Sequence, residues 1–172
     1  IKYIMSLFNL KDKVYAVTGA SGALAGIAAR YLAENGAKVA FISRNQSKLD
    51  LAVKDLGPEA ATFTCDVTDR KALKTSFDLI LQRFGHIDGL INGAGGNMPG
   101  ATIGPGMSVF DLDFNDYEKV LQLNLSGTLL PSLVFGEYFA ERKQGAIINF
   151  SSASSQQALT RVLGYSLSLI HI

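Results

Sequence analysis

Along the chain, short runs of apolar residues alternate with longer stretches in which apolar residues return every three or four positions. Val14-Tyr15-Ala16-Val17 is a run of the first kind and leads into Thr18-Gly19, which predicts a buried strand ending in a glycine turn. Leu24, Ile27, Ala28, Tyr31 and Leu32 follow at helical spacing and predict a helix that buries this face and closes at Asn35-Gly36. Residues 38–42 read as a second strand, and residues 47–56 as a second helix stopped by Gly57-Pro58. Residues 61–65 form the third strand. Thr68 or Asp69 can cap the next helix, whose apolar face is Leu73, Phe77, Ile80, Leu81 and Phe84 and whose end is Gly85. Residues 87–91 are the fourth strand, and the glycine-rich segment 93–113, with Pro99 and Pro105, predicts a long loop. A long helix from Phe114 or Asn115 to about Arg142, kinked at Pro131, leads to a fifth strand at 146–150 and a serine-rich loop.

Strand and helix alternate strictly, with connections long enough for right-handed crossovers. The pattern predicts an α/β fold: a Rossmann-type, doubly wound parallel sheet with helices on both faces, incomplete at its C-terminal side. Ligands of such sheets bind beyond the carboxyl ends of the strands, so the residues after Val17, Ile42, Cys65, Ile91 and Phe150 carry the interest.

Composition narrows the class. Charged residues make up 18% of the chain, against a usual share of roughly 25%, which suits elements buried on both sides and excludes a disordered tail. A net charge of +1 without a basic cluster leaves no electrostatic footprint for nucleic acid. The single Cys65 cannot build a disulfide framework or a zinc site, and a cytoplasmic location is expected. The uncharged stretch 14–29 holds Thr18, Gly19, Ser21, Gly22 and Gly26, too short and too polar for a membrane helix of about 20 residues. Met5 reads as the natural start, with residues 1–4 as upstream translated sequence.

The chemistry begins directly after the first strand. In the segment from Thr18 to Gly26, glycine lets backbone N–H groups approach a pyrophosphate, and the start of the helix adds partial positive charge. At the end of strand two, Ser43 stands where an acidic side chain would accept bonds from the adenosine ribose, and Arg44 can bond a 2′-phosphate. Asn124 follows Leu121, Val120 and Tyr117 on the apolar face of its helix, and a buried amide needs partners, whether structural or functional.

Thr18-Gly19-Ala20-Ser21, Cys65-Asp66-Val67, Asn92-Gly93-Ala94-Gly95, Asn124-Leu125-Ser126-Gly127 and Ser152 with Tyr165 come in an order and spacing that resemble the short-chain dehydrogenase/reductase family. The likeness runs over residues 7–165 and is strongest to the mannonate or fructuronate reductase branch, through residues 91–97 and 127–131. Ala23 and Ala25 stand where the family usually has glycines, and the spacing Gly19, Gly22, Ala25 resembles the extended, epimerase-like branch instead. The resemblance implies an NAD(P)-dependent oxidoreductase, with NADP(H) favoured over NAD(H). The dinucleotide would lie on Thr18, Gly19, Ser21, Gly22, Leu24, Ser43, Arg44, Asp66, Val67, Asn92, Gly93 and Ala94. Asp66 would meet the adenine, a turn carboxylate being the alternative. Tyr165 would donate a proton to the carbonyl oxygen of a small-molecule hydroxyl or carbonyl substrate, such as a sugar acid or polyol. Ser152, thirteen residues earlier, would hold that oxygen, with Asn124 supporting a water relay behind them. A homotetramer or homodimer through the helix 115–142 is the family's habit. A cofactor-binding protein without turnover and a nucleotide-sugar epimerase are the competing readings.

The family carries a lysine four residues after the tyrosine, and here Leu169 holds that place. A free tyrosine has a pKa of about 10, and lowering it toward 7 takes roughly 4 kcal/mol of differential interaction, much of it expected from that ammonium. The chain as written is expected to be nearly inactive. Leu167-Ser168-Leu169-Ile170-His171-Ile172 is the translation of CTG TCT CTT ATA CAC ATC, a transposon end used in library preparation. The expected organisation is therefore a truncated dinucleotide-binding domain over residues 5–166 and non-native read-through over 167–172. A genomic read across codon 166 is expected to replace Leu169 with Lys, and one that still encodes Leu169 overturns this reading.

Overall fold

The computed structural model describes residues 9–157 and 159–170, so Met5, the residues before it, and His171 lie outside the described residues. Five parallel strands form one sheet in the order β3-β2-β1-β4-β5, with β1 at Val14–Thr18, β2 at Lys38–Ser43, β3 at Ala60–Thr64, β4 at Gly89–Asn92 and β5 at Ala146–Asn149. The helices between them are α1 (Ala23–Glu34), α2 (Gln46–Val53), α3 (Arg70–Phe84), α4 (Phe114–Leu121) and α5 (Gly127–Arg142), with α6 (Leu163–Leu169) last. Because β2 and β4 flank β1 on opposite sides, the winding reverses at β1. A crevice opens beyond the carboxyl end of the sheet at such a reversal.

Alternate residues of each strand point to opposite faces, and both faces are covered. On one face Val14, Ala16, Ala40 and Ile42 pack against Leu73, Phe77 and Ile80 of α3 and Val134 and Phe135 of α5. The Phe77 and Phe135 rings meet edge to face at 5.2 Å. On the other face Val17, Val39, Phe41 and Ile91 pack against Ala25 and Ala29 of α1 and Leu49 of α2. This is the doubly wound architecture that the alternation of patterns predicts. Asp69 caps α3, its carboxylate accepting from the Lys71 and Ala72 N–H groups, and Gly85 ends it in the left-handed conformation at φ 83°.

Three expectations are corrected. The face of α1 that meets the sheet is Ala25, Gly26 and Ala29, while Leu24, Ile27 and Tyr31 stay exposed. The reason is proximity. A Cβ on Gly93 would stand 2.5 Å from the Ala25 Cβ, and one on Gly26 2.9 Å from the Ala20 carbonyl oxygen, so only small residues fit under this helix. Large and small residues both recur at helical spacing, and hydrophobicity alone selects the wrong stripe. Second, the break in the long helix falls at a π-helical turn over Gln122–Ser126, while Pro131 lies inside α5. Third, α2 ends at Val53, short of Gly57-Pro58. The segment 93–113 is irregular as expected, apart from short 3₁₀ turns at Pro99–Ala101 and Val109–Asp111, the second closed by reciprocal bonds between Ser108 and Asp111. β5 is exposed along its whole length at the sheet edge. Among the described residues no helix is long and apolar enough to cross a membrane.

The contact between α1 and β4 yields a test. Gly93→Ala is expected to lower stability by about 1–3 kcal/mol through overpacking against Ala25, read from the urea midpoint. Gly57→Ala, where an added Cβ meets nothing within 4 Å, should leave the midpoint nearly unchanged.

Candidate active site

Two turns meet at the carboxyl ends of β1 and β4. The buried Thr18 hydroxyl accepts from the Gly93 N–H at 3.1 Å and the Ala94 N–H at 3.2 Å. Gly19 then leaves the strand at φ 68°, where a Cβ would stand 2.5 Å from the Gly93 carbonyl oxygen and 2.7 Å from the Ala94 nitrogen. Glycine is required there twice over, by conformation and by space. The chain turns through Ser21 and Gly22 into α1, which has no acidic residue in its first turn and no side chain capping its amides. Those free N–H groups suit an anion.

A cavity of about 270 Å³ lies over this junction, walled by Gly19, Gly22, Leu24 and Gly93 through Gly96, and at its far end by Asn124, Ser151 and Tyr165. A second hollow of about 200 Å³ shares Gly19, Gly22, Gly93 and Ala94 and runs the other way to Ser21, Ser43, Arg44, Cys65 and Val67. The Ser21 and Ser43 hydroxyls bond each other at 2.6 Å across it. The two form one elongated crevice with a cation at one end and a phenol at the other.

Of the residues singled out in the sequence, the crevice brings together Gly19, Ser21, Gly22, Leu24, Ser43, Arg44, Val67, Gly93, Ala94, Asn124 and Tyr165. Thr18, Asp66, Asn92 and Ser152 do not line it. Thr18 fastens the two turns instead. The Asn92 side-chain amide donates to the Ser132 hydroxyl and to the side-chain Oδ1 of Asn149, both at 2.9 Å, and so ties β4 to α5 and β5. Ser152 opens the turn Ala153–Ser155, its hydroxyl accepting from the Ser154 N–H at 3.3 Å in a neighbouring open hollow. Its neighbour Ser151 lines the crevice, as do Gly95, Gly96, Thr128 and Phe150. Thr128 was findable, because it lies one helical turn beyond Asn124.

Asn124 owes its setting to the π turn. Its amide is buried, with Oδ1 accepting from the Gly96 N–H at 2.8 Å and Nδ2 donating to the Gly96 carbonyl at 3.0 Å and the Ser168 hydroxyl at 2.9 Å. Ser168 in turn donates to the Tyr165 carbonyl at 2.7 Å. Tyr165 rides on α6, which sits so close to α4 that a Cβ on Gly164 would stand 2.9 Å from the Tyr117 ring. Leu169 is buried and lines the crevice on the same helix as Tyr165.

The Asp66 carboxylate accepts from both the N–H and the hydroxyl of Thr68, at 2.9 and 2.7 Å, which makes it a turn carboxylate. Burial pushes its pKa up, but the Thr68 bonds and the nearby Arg44 charge together hold it below the ordinary value. Burial also pushes the Cys65 thiol up, which keeps it protonated and unreactive at neutral pH.

An open doubly wound sheet whose reversal point carries a glycine-lined crevice, an amine-free anion cradle and a phenol defines a nucleotide-binding α/β protein of the Rossmann class. The model of the short chain dehydrogenase family matches residues 13–168, and the chain belongs to that family. It is 40% identical over 169 residues to the uncharacterized oxidoreductase UxuB of Bacillus subtilis, an alignment that covers 92% of this chain and 61% of that protein. A Haemophilus influenza protein provisionally assigned as a D-mannonate oxidoreductase, solved with bound NAD, superposes with a TM-score of 0.90 at 32% identity, over 98% of this chain and 65% of that one. Actinorhodin polyketide ketoreductase, solved with NADPH, superposes with a TM-score of 0.83 at 26% identity, over 92% of this chain and 60% of that one. The chain thus spans about 60% of the length of these relatives.

The lowered pKa of Asp66 gives a signed expectation. Its contribution to stability is full above the unfolded-state value of 3.8 and disappears as pH falls through the still lower folded-state value. The difference in urea midpoint between the wild-type chain and Asp66→Ala should therefore be largest near neutrality and shrink below pH 3.8.

Proposed function

We propose that this chain is the dinucleotide-binding part of an NAD(P)-dependent oxidoreductase that interconverts a hydroxyl and a carbonyl, with a sugar acid such as mannonate as substrate. The observation that carries this reading is the continuous crevice from Arg44, past the turn at Gly19, to Tyr165. The residues fit a dinucleotide: the space above Gly19 is one that a side chain would fill, and the first turn of α1 offers uncapped amides for the phosphates. When bound, the nicotinamide supplies the hydride acceptor or donor. The protein's own part is to hold and to move a proton. Gly93 and Ala94 let the dinucleotide lie close against the strand ends, and the Tyr165 phenol gives its proton to the carbonyl oxygen of the substrate. Ser152 remains the proposed holder of that oxygen, and Ser151, already on the crevice wall, is the nearer alternative. Asn124 would fix the Gly96 backbone behind the reacting atoms.

Arg44 at the crevice end, beside the neutral Ser43, supports NADP(H) over NAD(H), since a guanidinium forms charge-assisted bonds to a 2′-phosphate. Leu125, Leu129 and Leu133, each four residues from the next, stay exposed along the helix and support its pairing between copies. Leu169 favours a second reading for the chain as written, binding without turnover, because an apolar side chain occupies the wall where the family has an ammonium.

Titration with both cofactors tests the proposal. NADPH is expected to bind more tightly than NADH, and Arg44→Ala to weaken NADPH by about tenfold or more while leaving NADH little changed. Tighter NADH binding removes the NADP preference, and binding of neither removes the whole reading. In the same series, Leu169→Lys is expected to confer carbonyl-dependent NADPH oxidation, and its failure to do so with cofactor bound supports the second reading.

A further inference from the structure

One buried hydroxyl joins the helix of the phenol to the wall of the crevice. Asn124 and Ser168 are 2% and 1% exposed, and their side chains bond each other where α6 packs against the π turn. A carboxamide offers two N–H donors and one oxygen, and at Asn124 all of them are engaged. Oδ1 accepts from the Gly96 N–H at 2.8 Å, while Nδ2 donates to the Gly96 carbonyl at 3.0 Å and to the Ser168 hydroxyl at 2.9 Å. The single proton of that hydroxyl goes to the Tyr165 carbonyl at 2.7 Å, one turn back on the same helix. Towards Asn124 the hydroxyl can therefore only accept, which fixes which way round the amide stands. The loop side leaves no slack, since a Cβ on Gly95 would stand 3.0 Å from Asn124 Oδ1. Ser166, on the same helix, gives the contrast: its hydroxyl is buried with no hydrogen-bond partner among the described residues.

The bonds run without a gap from the Gly96 backbone, through Asn124 and Ser168, to the turn of α6 that carries Tyr165. Gly96, Asn124 and Tyr165 line one cavity, and Ser168 stands behind them, off its surface. A buried network of this kind rigidifies its surroundings only while every member is satisfied, because an unpaired amide in a dry interior is costly. We propose that Ser168 is a positioning residue: through Asn124 it locks α6 to Gly96, and so sets where the Tyr165 phenol stands relative to the wall on which the dinucleotide lies. This rests on the oxidoreductase reading above and adds to it the group that holds the proton donor in register. Position 168 falls within the stretch 167–172 expected to be read-through, so the geometry also sets a condition on the natural chain. There, too, residue 168 must bring a hydroxyl to this place, as serine or threonine.

Amide hydrogen exchange, and the ring signal of ¹³C-labelled Tyr165 followed with and without NADP⁺, test the assignment. In Ser168→Ala, which removes the hydroxyl and little else, exchange at the Gly96 N–H is expected to rise about tenfold while the β2 amides stay within about twofold. The displacement of the Tyr165 signal on saturation with NADP⁺ should fall by about half or more, because the field of the nicotinamide charge weakens with distance. NADP⁺ affinity should hold within about threefold, since Ser168 lies off the crevice surface. Ser168→Thr should restore both readings, and Ser166→Ala, which removes only the unpartnered hydroxyl, should change neither. Parent-like exchange at Gly96 in Ser168→Ala, or equal acceleration throughout the sheet, overturns the clamp. A Tyr165 displacement equal to the parent's, with NADP⁺ bound, overturns the positioning role. A genomic codon 168 for a residue without a hydroxyl overturns the assignment as well. A parent chain that binds neither dinucleotide overturns the oxidoreductase reading and the positioning of the phenol with it, whereas the exchange data still decide the link itself.

Discussion

The structure depends on how closely the ends of β1 and β4 are drawn together. One buried hydroxyl, on Thr18, receives two successive backbone N–H groups from the opposite turn, and Gly19 presses against the same two residues. Buried amides need acceptors, and without this one the turn at Gly93-Ala94 would have to find others. The close approach dictates the small face of α1, since no larger side chain than alanine fits between that helix and the strand ends. It also leaves, directly above, the bare backbone floor of the crevice. Fastening and vacancy are two aspects of the same contact.

The alternation of strands and helices and the doubly wound layers were legible in the sequence because buried strands are short apolar runs and their helices repeat at a different period. The crevice was legible for the same reason: its backbone walls are glycines at strand ends. What periodicity could not give was which of two stripes on α1 faces inward, because the deciding quantity is the distance between backbones. Nor could it place the extra residue in the winding near Asn124, since a π turn leaves only a weak mark in a helical pattern. Side-chain direction at strand ends was equally hidden. Asn92 and Ser152 stand where motif spacing puts them, yet the amide of one turns to Ser132 and Asn149 and the hydroxyl of the other caps a turn. Motifs mark positions along the chain, whereas hydrogen-bond competition decides where each group points.

Electrostatically the crevice is sparse. Its middle is formed by backbone amides and small side chains, with formal charge on its walls confined to the Arg44 end. In such a channel the amides act as fixed partial charges, and ligand anions are distinguished by where they fall along its length. Asp66 fits this economy. With its carboxylate turned to Thr68, it stabilises the turn that brings Val67 to the wall.

The π turn has a further consequence for the path between the sheet and the phenol. One added residue in a winding of 3.6 per turn rotates everything downstream by about 100°. Val120 before it and Pro131, Val134 and Phe135 after it are all buried, so the two halves of the helix meet the body of the protein in different angular frames. The bulge between them is the splice that reconciles those frames, and Asn124 sits at the splice. Removing a single residue there would turn the aromatic side of α5 out of the core. The helix therefore encodes the site's geometry in its count of residues as much as in their identity.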